Sequence, residues 1–449
     1  MTEDCPAVQV QVRKTLDNHP DWTEPKDIPE LPGARRVLVI SHMFPHPDQP
    51  GSGPFIHEQV QALRQAGVDA RVVCGRPYWL TSIRSPLGLL LAAPRIVYSA
   101  IYYARLLYAS RRRWWLHEGV PVCYVPYLVV APFWSHGLAY RLAVGLSTLW
   151  MPRTFRPELV HAHTAYLDGS AALLLARRWR IPYVITEHTG PFDTLMTRGT
   201  IIRNTTLKAL AGAARVISVS RALQSDVLRW LKGSDVRAEV IPNVVNTTRF
   251  APTPLAAASS ASPRILFVGY FVPVKNVPLL LDAFARVLAV RPRARLTLVG
   301  GGSTAAETAA VHAGIAERAL IHAVTVRGWL PRDEVARCMQ DNDMLVLPSR
   351  SETFGCVVAE ALATGRPAVA TRCGGPEDIV TEPWMGALCD NGDPQALAEA
   401  ILAVADRLPQ TDPQQLSASA QARFGAPAIA GRLARLYDTL VDGGTRAAR

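Results

Sequence analysis

The stretch SETFGCVVAEALATG, residues 351–365, carries two carboxylates, Glu352 and Glu360, on either side of Gly355. From about Phe354 to Ala363 the pattern is that of a helix apolar nearly all round. An unpaired carboxylate in such surroundings costs several kcal/mol. Two resolutions are open: the glutamates meet hidden cations, or they face a cleft and hold a hydroxyl-rich ligand. Glu352 follows the apolar run DMLVLPS (343–349). It therefore falls in the loop at the carboxyl end of a strand, where open α/β sheets bind ligands. The helix starts next, so Phe354, Gly355, Cys356 and Val357 offer unpaired backbone N–H groups and the positive end of a helix dipole. Gly355 has no side chain to block close approach. A phosphate fits there, with one carboxylate placed for sugar hydroxyls and the other for ribose hydroxyls.

The elements that must position these groups are strands and helices in alternation. Short apolar runs bounded by turn residues occur at 35–41, 70–75, 120–127, 158–163, 182–188, 215–220 and 238–243, with helical patterns between most of them. GPFIHEQVQALRQAG places Ile56, Val60 and Leu63 on one helix face and stops at Gly67. APTPLAAASSASP, 251–263, has no periodicity and reads as a linker. The alternation resumes with strands at 264–269, 295–302, 324–330, 343–349 and 367–375 and a helix from about Val277 to Val290. The fold class is therefore α/β, two tandem Rossmann-like doubly wound domains with an interdomain cleft as the default ligand site. The expected division is a loose tail at 1–33, a first domain at 34–250, the linker, and a second domain at 264–449 whose last helix packs back on the first.

A chain of 449 residues is too long for one ordinary core, which agrees with two domains. The seven cysteines are odd in number and lack a CxxC pair, which argues against a disulfide framework or a zinc site and points to a reducing cytoplasm. The opening residues have no basic region followed by an apolar one, so no secretory signal is read there. Pro86–Trp115 is cut by Pro94, Arg95 and Arg105 and is too interrupted to span a membrane, though it could lie on one. The net charge of +11 resides entirely in residues up to Phe250, which carry 29 basic and 18 acidic side chains. A basic surface attracts polyanions or anionic lipid, and RRRWW at 111–115 reads as a solvated loop in preference to an interfacial anchor, which stays the alternative. Proteome bias explains the charge equally well, because 43 of the 48 basic residues are Arg.

Glu352 and Glu360, with the run PSRSETFGCVVAEALATGRPAVATRCGG around them, closely resemble the donor-site signature of the family-4 retaining glycosyltransferases of GT-B fold. VIPNVVNTTRF (240–250), VGYFVPVKN (268–276), VHAHTAYLDG and TEHTG are similar to other motifs of that family, and the resemblance spans roughly 35–440. SHMFPHPDQPGSGPFIHEQVQAL is most similar to members that build bacterial polysaccharides such as teichuronic acid. The resemblance implies that the first domain faces the acceptor and the second binds a nucleotide sugar. It makes Glu352 the contact to a donor hexose, Glu360 the ribose ligand, and the backbone of Phe354, Gly355, Cys356 and Val357 a clamp on sugar and phosphate. It gives Lys275 the diphosphate, brings the Gly51 and Gly53 turn against it, sets Arg327 to Leu330 about the base, and puts His163 near the donor sugar. Tyr270 stands where the family usually has Arg, and Val244 and Asn246 replace its usual Gly and Asp.

Breaking the bond from an anomeric carbon to a nucleoside diphosphate leaves negative charge on phosphate, which cations and N–H dipoles stabilise. Lys275, the helix at 354 and the glycines supply them, so no metal and no cofactor is expected. DND at 341–343 precedes its strand and reads as a turn with Asp343 bonded locally. His42, His46 and His57 lack metal-ligand spacing. The lone GGG at 300–302 reads as a tight turn. The expected function is a retaining hexosyltransferase using a nucleotide sugar, a UDP sugar in preference to a GDP sugar. It would work on bacterial surface polysaccharide or glycolipid, in the cytoplasm or at the inner face of the membrane. The acceptor is expected to be lipid-linked or anionic, with peripheral membrane contact. A sugar-nucleotide epimerase, a non-catalytic sugar-nucleotide binder and a transferase acting on a soluble acceptor are the alternatives. A nucleic-acid-binding role finds no supporting motif.

Overall fold

The computed structural model describes residues 22–23, 28, 31–46, 51–79, 114–129, 135–151, 155–255 and 261–447. These fall into two compact units. The first holds the described residues up to Ser218, Gln224–Ile241 and those from Ala430 onward; the second holds Val219–Leu223 and Pro242–Ile429.

The first unit is built from β1 (Trp22–Thr23), β2 (Arg36–Ser41), α1 (Pro54–Gln65), β3 (Asp69–Trp79), β4 (Trp115–His117) and β5 (Val120–Val129). It continues with α2 (Ser135–Ser147), β6 (Leu159–Ala162), α3 (Ser170–Trp179), β7 (Tyr183–Glu187), α4 (Phe192–Thr197), α5 (Thr200–Gly212), β8 (Arg215–Ser218), α6 (Arg221–Trp230) and β9 (Ala238–Val240). The nine strands form one sheet in the order β1-β4-β5-β3-β2-β6-β7-β8-β9, parallel except where β4 meets β1 and β5. Parallel strands are covered on both faces, hence the unbroken apolar runs. In β2 every residue after Arg36 is buried. Ile56, Val60 and Leu63 of α1 are buried as their spacing predicts. Two short strands depart from the sequence reading. Trp22–Thr23, within the stretch read as a loose tail, pairs with β4, and Trp114 and Trp115 are buried instead of standing at a surface. The reason is the open side of β5, whose unpaired backbone groups take a short antiparallel ribbon. Arg111–Arg113 and most of Pro86–Trp115 lie outside the described residues.

The second unit contains β10 (Arg264–Val268), α7 (Val277–Val290), β11 (Arg295–Val299), α8 (Ala305–Glu317), β12 (Val324–Arg327) and α9 (Arg332–Asp341). After them come β13 (Met344–Leu347), α10 (Cys356–Ala363), β14 (Ala368–Thr371), β15 (Gly386–Cys389), α11 (Pro394–Arg407) and α12 (Pro413–Phe424); α13 (Ala426–Ala447) starts in this unit and from Ala430 onward belongs to the first. Its six strands are all parallel, in the order β12-β11-β10-β13-β14-β15. The core packs Phe267, Phe284, Leu280 and Val346 with Leu397 and Ile401 of α11. In each sheet the strand order reverses beside the first βα unit, between β2 and β6 and between β10 and β13. Such a reversal opens a crevice at the carboxyl ends of the two strands.

Candidate active site

In the second unit, the loops after β10 and β13 meet at the reversal. After β10 the chain forms a short turn, Pro273–Lys275, and Asn276 adopts a left-handed conformation, φ 52°, that its short polar side chain tolerates. This aims Lys275 across to the β13 loop, where its Nζ lies 2.5 Å from Oε1 of Glu352. Ser349 donates its hydroxyl to the same oxygen at 2.6 Å. The Glu352 backbone is fixed as well: its N–H donates to Cys373 O at 2.8 Å, and its carbonyl accepts from Gly375 N at 2.9 Å. Both donors approach Oε1, and no donor among the described residues reaches Oε2.

The helix beyond begins at Cys356, two residues later than the apolar pattern predicts. Phe354 turns inward and is buried against Phe424, with ring centroids 5.6 Å apart, so it can offer a ligand only its backbone. Gly355 stands at φ 88°, which ends the loop and starts the helix, and a Cβ there would lie 3.3 Å from Pro376 Cγ. Among the described residues no side chain caps α10, so the dipole and first-turn N–H groups at Cys356 and Val357 face the loop without a capping carboxylate or hydroxyl. Asn243 donates to the Cys356 sulfur at 3.4 Å.

Glu360 is buried, and its carboxylate takes both arms of Arg332, at 2.7 and 3.4 Å. The guanidinium lies over the Phe250 ring, 4.9 Å from its centroid. Both glutamates thus meet cations, Lys275 for one and Arg332 for the other, and burial of the two carboxylates has its compensation. Arg332 was not singled out by the sequence reading; its position 28 residues before Glu360 leaves no local pattern.

Tyr270, just past β10, is largely exposed and packs edge-on against the exposed Trp329, with centroids 4.4 Å apart. Arg327 donates to the Cys338 sulfur at 3.0 Å, and its carbonyl accepts from Gly300 N at 3.0 Å, tying the β12 end to the glycine turn. Leu330 is half-buried beside Trp329 in sequence. Asp343 is committed elsewhere: its carboxylate takes the backbone N–H and guanidinium of Arg264 at 2.7–3.2 Å, a structural role as expected, but with a partner 79 residues away instead of a local one, because β10 and β13 are neighbours in the sheet. Among the described residues no group of three or more His, Cys, Asp or Glu is arranged to hold a metal ion.

In the first unit the corresponding strand ends carry imidazoles and phenols. His163, following β6, is fully buried between His161, 4.4 Å away by ring centroids, and His188, stacked at 5.3 Å. His163 Nδ1 and His188 Nε2 share a hydrogen bond of 3.0 Å. Burial first, then the neighbouring rings, hold His163 well below the ordinary histidine range, and burial brings His161 and His188 down to about 3. A neutral pair joined by one proton always presents one N–H and one bare nitrogen at its far ends. Those ends, His163 Nε2 and His188 Nδ1, are buried without a partner among the described residues. His161 is fixed by Tyr437 and Thr186, both at 2.7 Å. Gly53 caps α1 with φ 60°, and a Cβ on it would lie 2.5 Å from Met43 O; Gly51 is exposed and unconstrained.

A second cluster there was also not singled out. Asp168, fully buried, accepts from His42 at 2.9 Å, Thr164 at 3.0 Å and Tyr140 at 2.5 Å. Burial opposes charge on His42, but the Asp168 carboxylate, and Glu187 beyond it, raise its pKa overall. His42 immediately follows β2, so this dyad lies at the reversal between β2 and β6. Asp168 was visible only inside the motif VHAHTAYLDG.

Two family descriptions match this chain: the glycosyl transferase 4-like domain over residues 50–244 and glycosyl transferases group 1 over residues 262–407. The putative teichuronic acid biosynthesis glycosyltransferase TuaC of Bacillus subtilis is 27% identical over 378 residues, 82% of this chain and 88% of that protein. A D-inositol 3-phosphate glycosyltransferase of Thermobispora bispora is 30% identical over 312 residues, 64% of this chain and 72% of that protein. Among solved structures, sucrose-phosphate synthase from Thermosynechococcus elongatus superposes with a TM-score of 0.70 at 20% identity, covering 91% of this chain and all of that one. Anabaena HepE in complex with UDP gives 0.64 at 18% identity, covering 90% of this chain and 100% of the other. The chain belongs to the family-4 glycosyltransferases and has their GT-B fold.

Proposed function

We propose that this glycosyltransferase moves a hexose, with retention of configuration and without a metal, from a nucleotide sugar to a hydroxyl acceptor in bacterial surface polysaccharide or glycolipid synthesis. A UDP sugar is the preferred donor over a GDP sugar. The observation that carries the donor-site reading is the Lys275–Glu352 pair at the β10/β13 reversal, beside the uncapped N-terminus of α10. As the glycosidic oxygen leaves with the electron pair, charge accumulates on the diphosphate, and an ammonium with oriented N–H groups stabilises it more than it stabilises the ground state. Glu352 holds the donor sugar and orients Lys275; Glu360, braced by Arg332, holds the ribose. Tyr270 and Trp329 flank the β12 end, where the base is bracketed by the backbone from Arg327 to Leu330. The Gly51 and Gly53 turn closes on the diphosphate, and the outer nitrogen of His163 meets a sugar hydroxyl. Support for the donor class comes from HepE, solved with UDP and with UDP-glucose, and for the product class from the name of TuaC.

The test is release of nucleoside diphosphate in the presence and absence of acceptor. Release that depends on acceptor, with an anomeric product of unchanged configuration by proton NMR, is the expected result. Conversion of the sugar nucleotide without release points to an epimerase, and binding without turnover points to a non-catalytic binder.

A further inference from the structure

The first unit exposes its large apolar side chains unevenly. Leu138, Leu142 and Leu146 of α2, Leu149 just after it, Leu174 of α3 and Ile201 of α5 are each 46–60% exposed. The three leucines of α2 recur every fourth residue and form one stripe along the helix. Leu174 reaches that helix, since a Cβ on Gly145 would lie 3.6 Å from its Cδ2. Ile201 borders a shallow groove of about 280 Å³ that joins the three helices through Arg141, Leu173 and Lys208. Contiguous exposed apolar surface of this kind marks an interaction site.

The charge on the same helices identifies the partner. SHGLAYRLAVGLS, SAALLLARRW and TIIRNTTLKALAG contain no Asp or Glu, but they carry Arg141, Arg177, Arg178, Arg203 and Lys208. Among the described residues none of these five cations forms an ion pair with a carboxylate. An apolar stripe flanked by unpaired cations and free of acids matches the boundary of an anionic bilayer, where leucines enter the acyl region and cations meet headgroup phosphates. No helix among the described residues is long and apolar enough to cross a membrane, so contact of this kind lies on the surface. Trp114 and Trp115, the aromatic residues the sequence suggested for this role, are buried.

We infer that the face formed by α2, α3 and α5 docks the protein on an anionic lipid surface. The inference is independent of the donor-site reading, because none of these residues belongs to it. The experiment is co-sedimentation of the full chain with phosphatidylglycerol-containing vesicles and with pure phosphatidylcholine vesicles, at low and high salt. Binding to the anionic vesicles alone, weakened by salt, is expected. Leu142→Gln with Leu146→Gln should reduce binding at least about tenfold at either salt. Arg177→Ala, Arg178→Ala and Lys208→Ala should each cost about fivefold, and only at low salt. Circular dichroism and UDP affinity should be unchanged in all of them, since every substituted side chain is solvent-facing. Failure of the wild-type chain to bind anionic vesicles at low salt overturns the inference. So does a wild-type dimer in analytical ultracentrifugation that the leucine variants dissolve, because the apolar face is then a contact between copies.

Discussion

The two strand-order reversals solve the same problem with different chemistry. In the second unit the crevice residues are charged and paired, Lys275 with Glu352 and Arg332 with Glu360. In the first, burial keeps His161, His163 and His188 neutral, and of the two fully buried carboxylates beside them Asp168 spreads its charge over an imidazole and two hydroxyls and Glu187 over the backbone N–H groups of Ala165, His188 and Thr189. A fixed cation such as Lys275 suits a diphosphate whose charge grows during reaction, whereas hydroxyl groups are served by carboxylates and by neutral imidazoles alike. The contrast runs against bulk composition, because the first half carries all of the +11. Among the described residues, part of that excess, Arg177, Arg178, Arg203 and Lys208, is carried by α3 and α5.

The largest effect that could break this contrast belongs to Glu352→Gln. Transfer should fall by about a hundredfold or more, with the fold intact, because one charge is lost without a change of volume. A drop under about tenfold, equivalent to roughly 1.4 kcal/mol, counts against a donor-site role. Glu360→Gln should act differently: nucleotide affinity weakens, and stability drops by about 2 kcal/mol as the charge-assisted bonds to Arg332 are lost. A lower melting temperature with unchanged nucleotide affinity would make that carboxylate purely structural.

These two glutamates also show what was legible in advance. Parallel strands buried on both faces read as unbroken apolar runs, so the strands from β2 onward lay within a few residues of their expected positions, except β4 and the edge strand β15, which were not expected. The start of α10 was misplaced because the left-handed Gly355 and the inward turn of Phe354 depend on Pro376 and Phe424, both distant in sequence. The partners were hidden for the same reason: Lys275 lies 77 residues from Glu352, and His42 lies 126 from Asp168. The leucine repeat of α2 was visible in principle, but sequence alone does not say which stripe of a helix is covered.

A smaller effect sharpens the first-unit half of the contrast. A histidine whose pKa falls from 6.5 to about 3 on folding binds a proton only when unfolded over that interval. Stability therefore falls as pH drops through it, by up to about 1.4 kcal/mol per pH unit for each such residue. Thermal melts across this window should show the slope, and His188→Asn should flatten it; an unchanged slope would mean that the ring titrates normally in the fold. His42 has the opposite sign: its raised pKa adds stability below 6.5 that is lost as pH rises through the folded value. Asp168→Asn should lower the NMR titration midpoint of His42. The smallest expected effect is none: EDTA should leave transfer unchanged, and loss restored by manganese or magnesium would contradict the metal-free assignment.

In the proposed function Lys275, beside Glu352 and the start of α10, receives the donor diphosphate. Calorimetric titration of UDP and of uridine into the wild-type chain and Lys275→Ala tests it most directly, with GDP and guanosine used if UDP does not bind. The substitution should weaken the diphosphate at least about tenfold and leave the nucleoside unchanged. Equal losses for both ligands, or no loss for either, would contradict it.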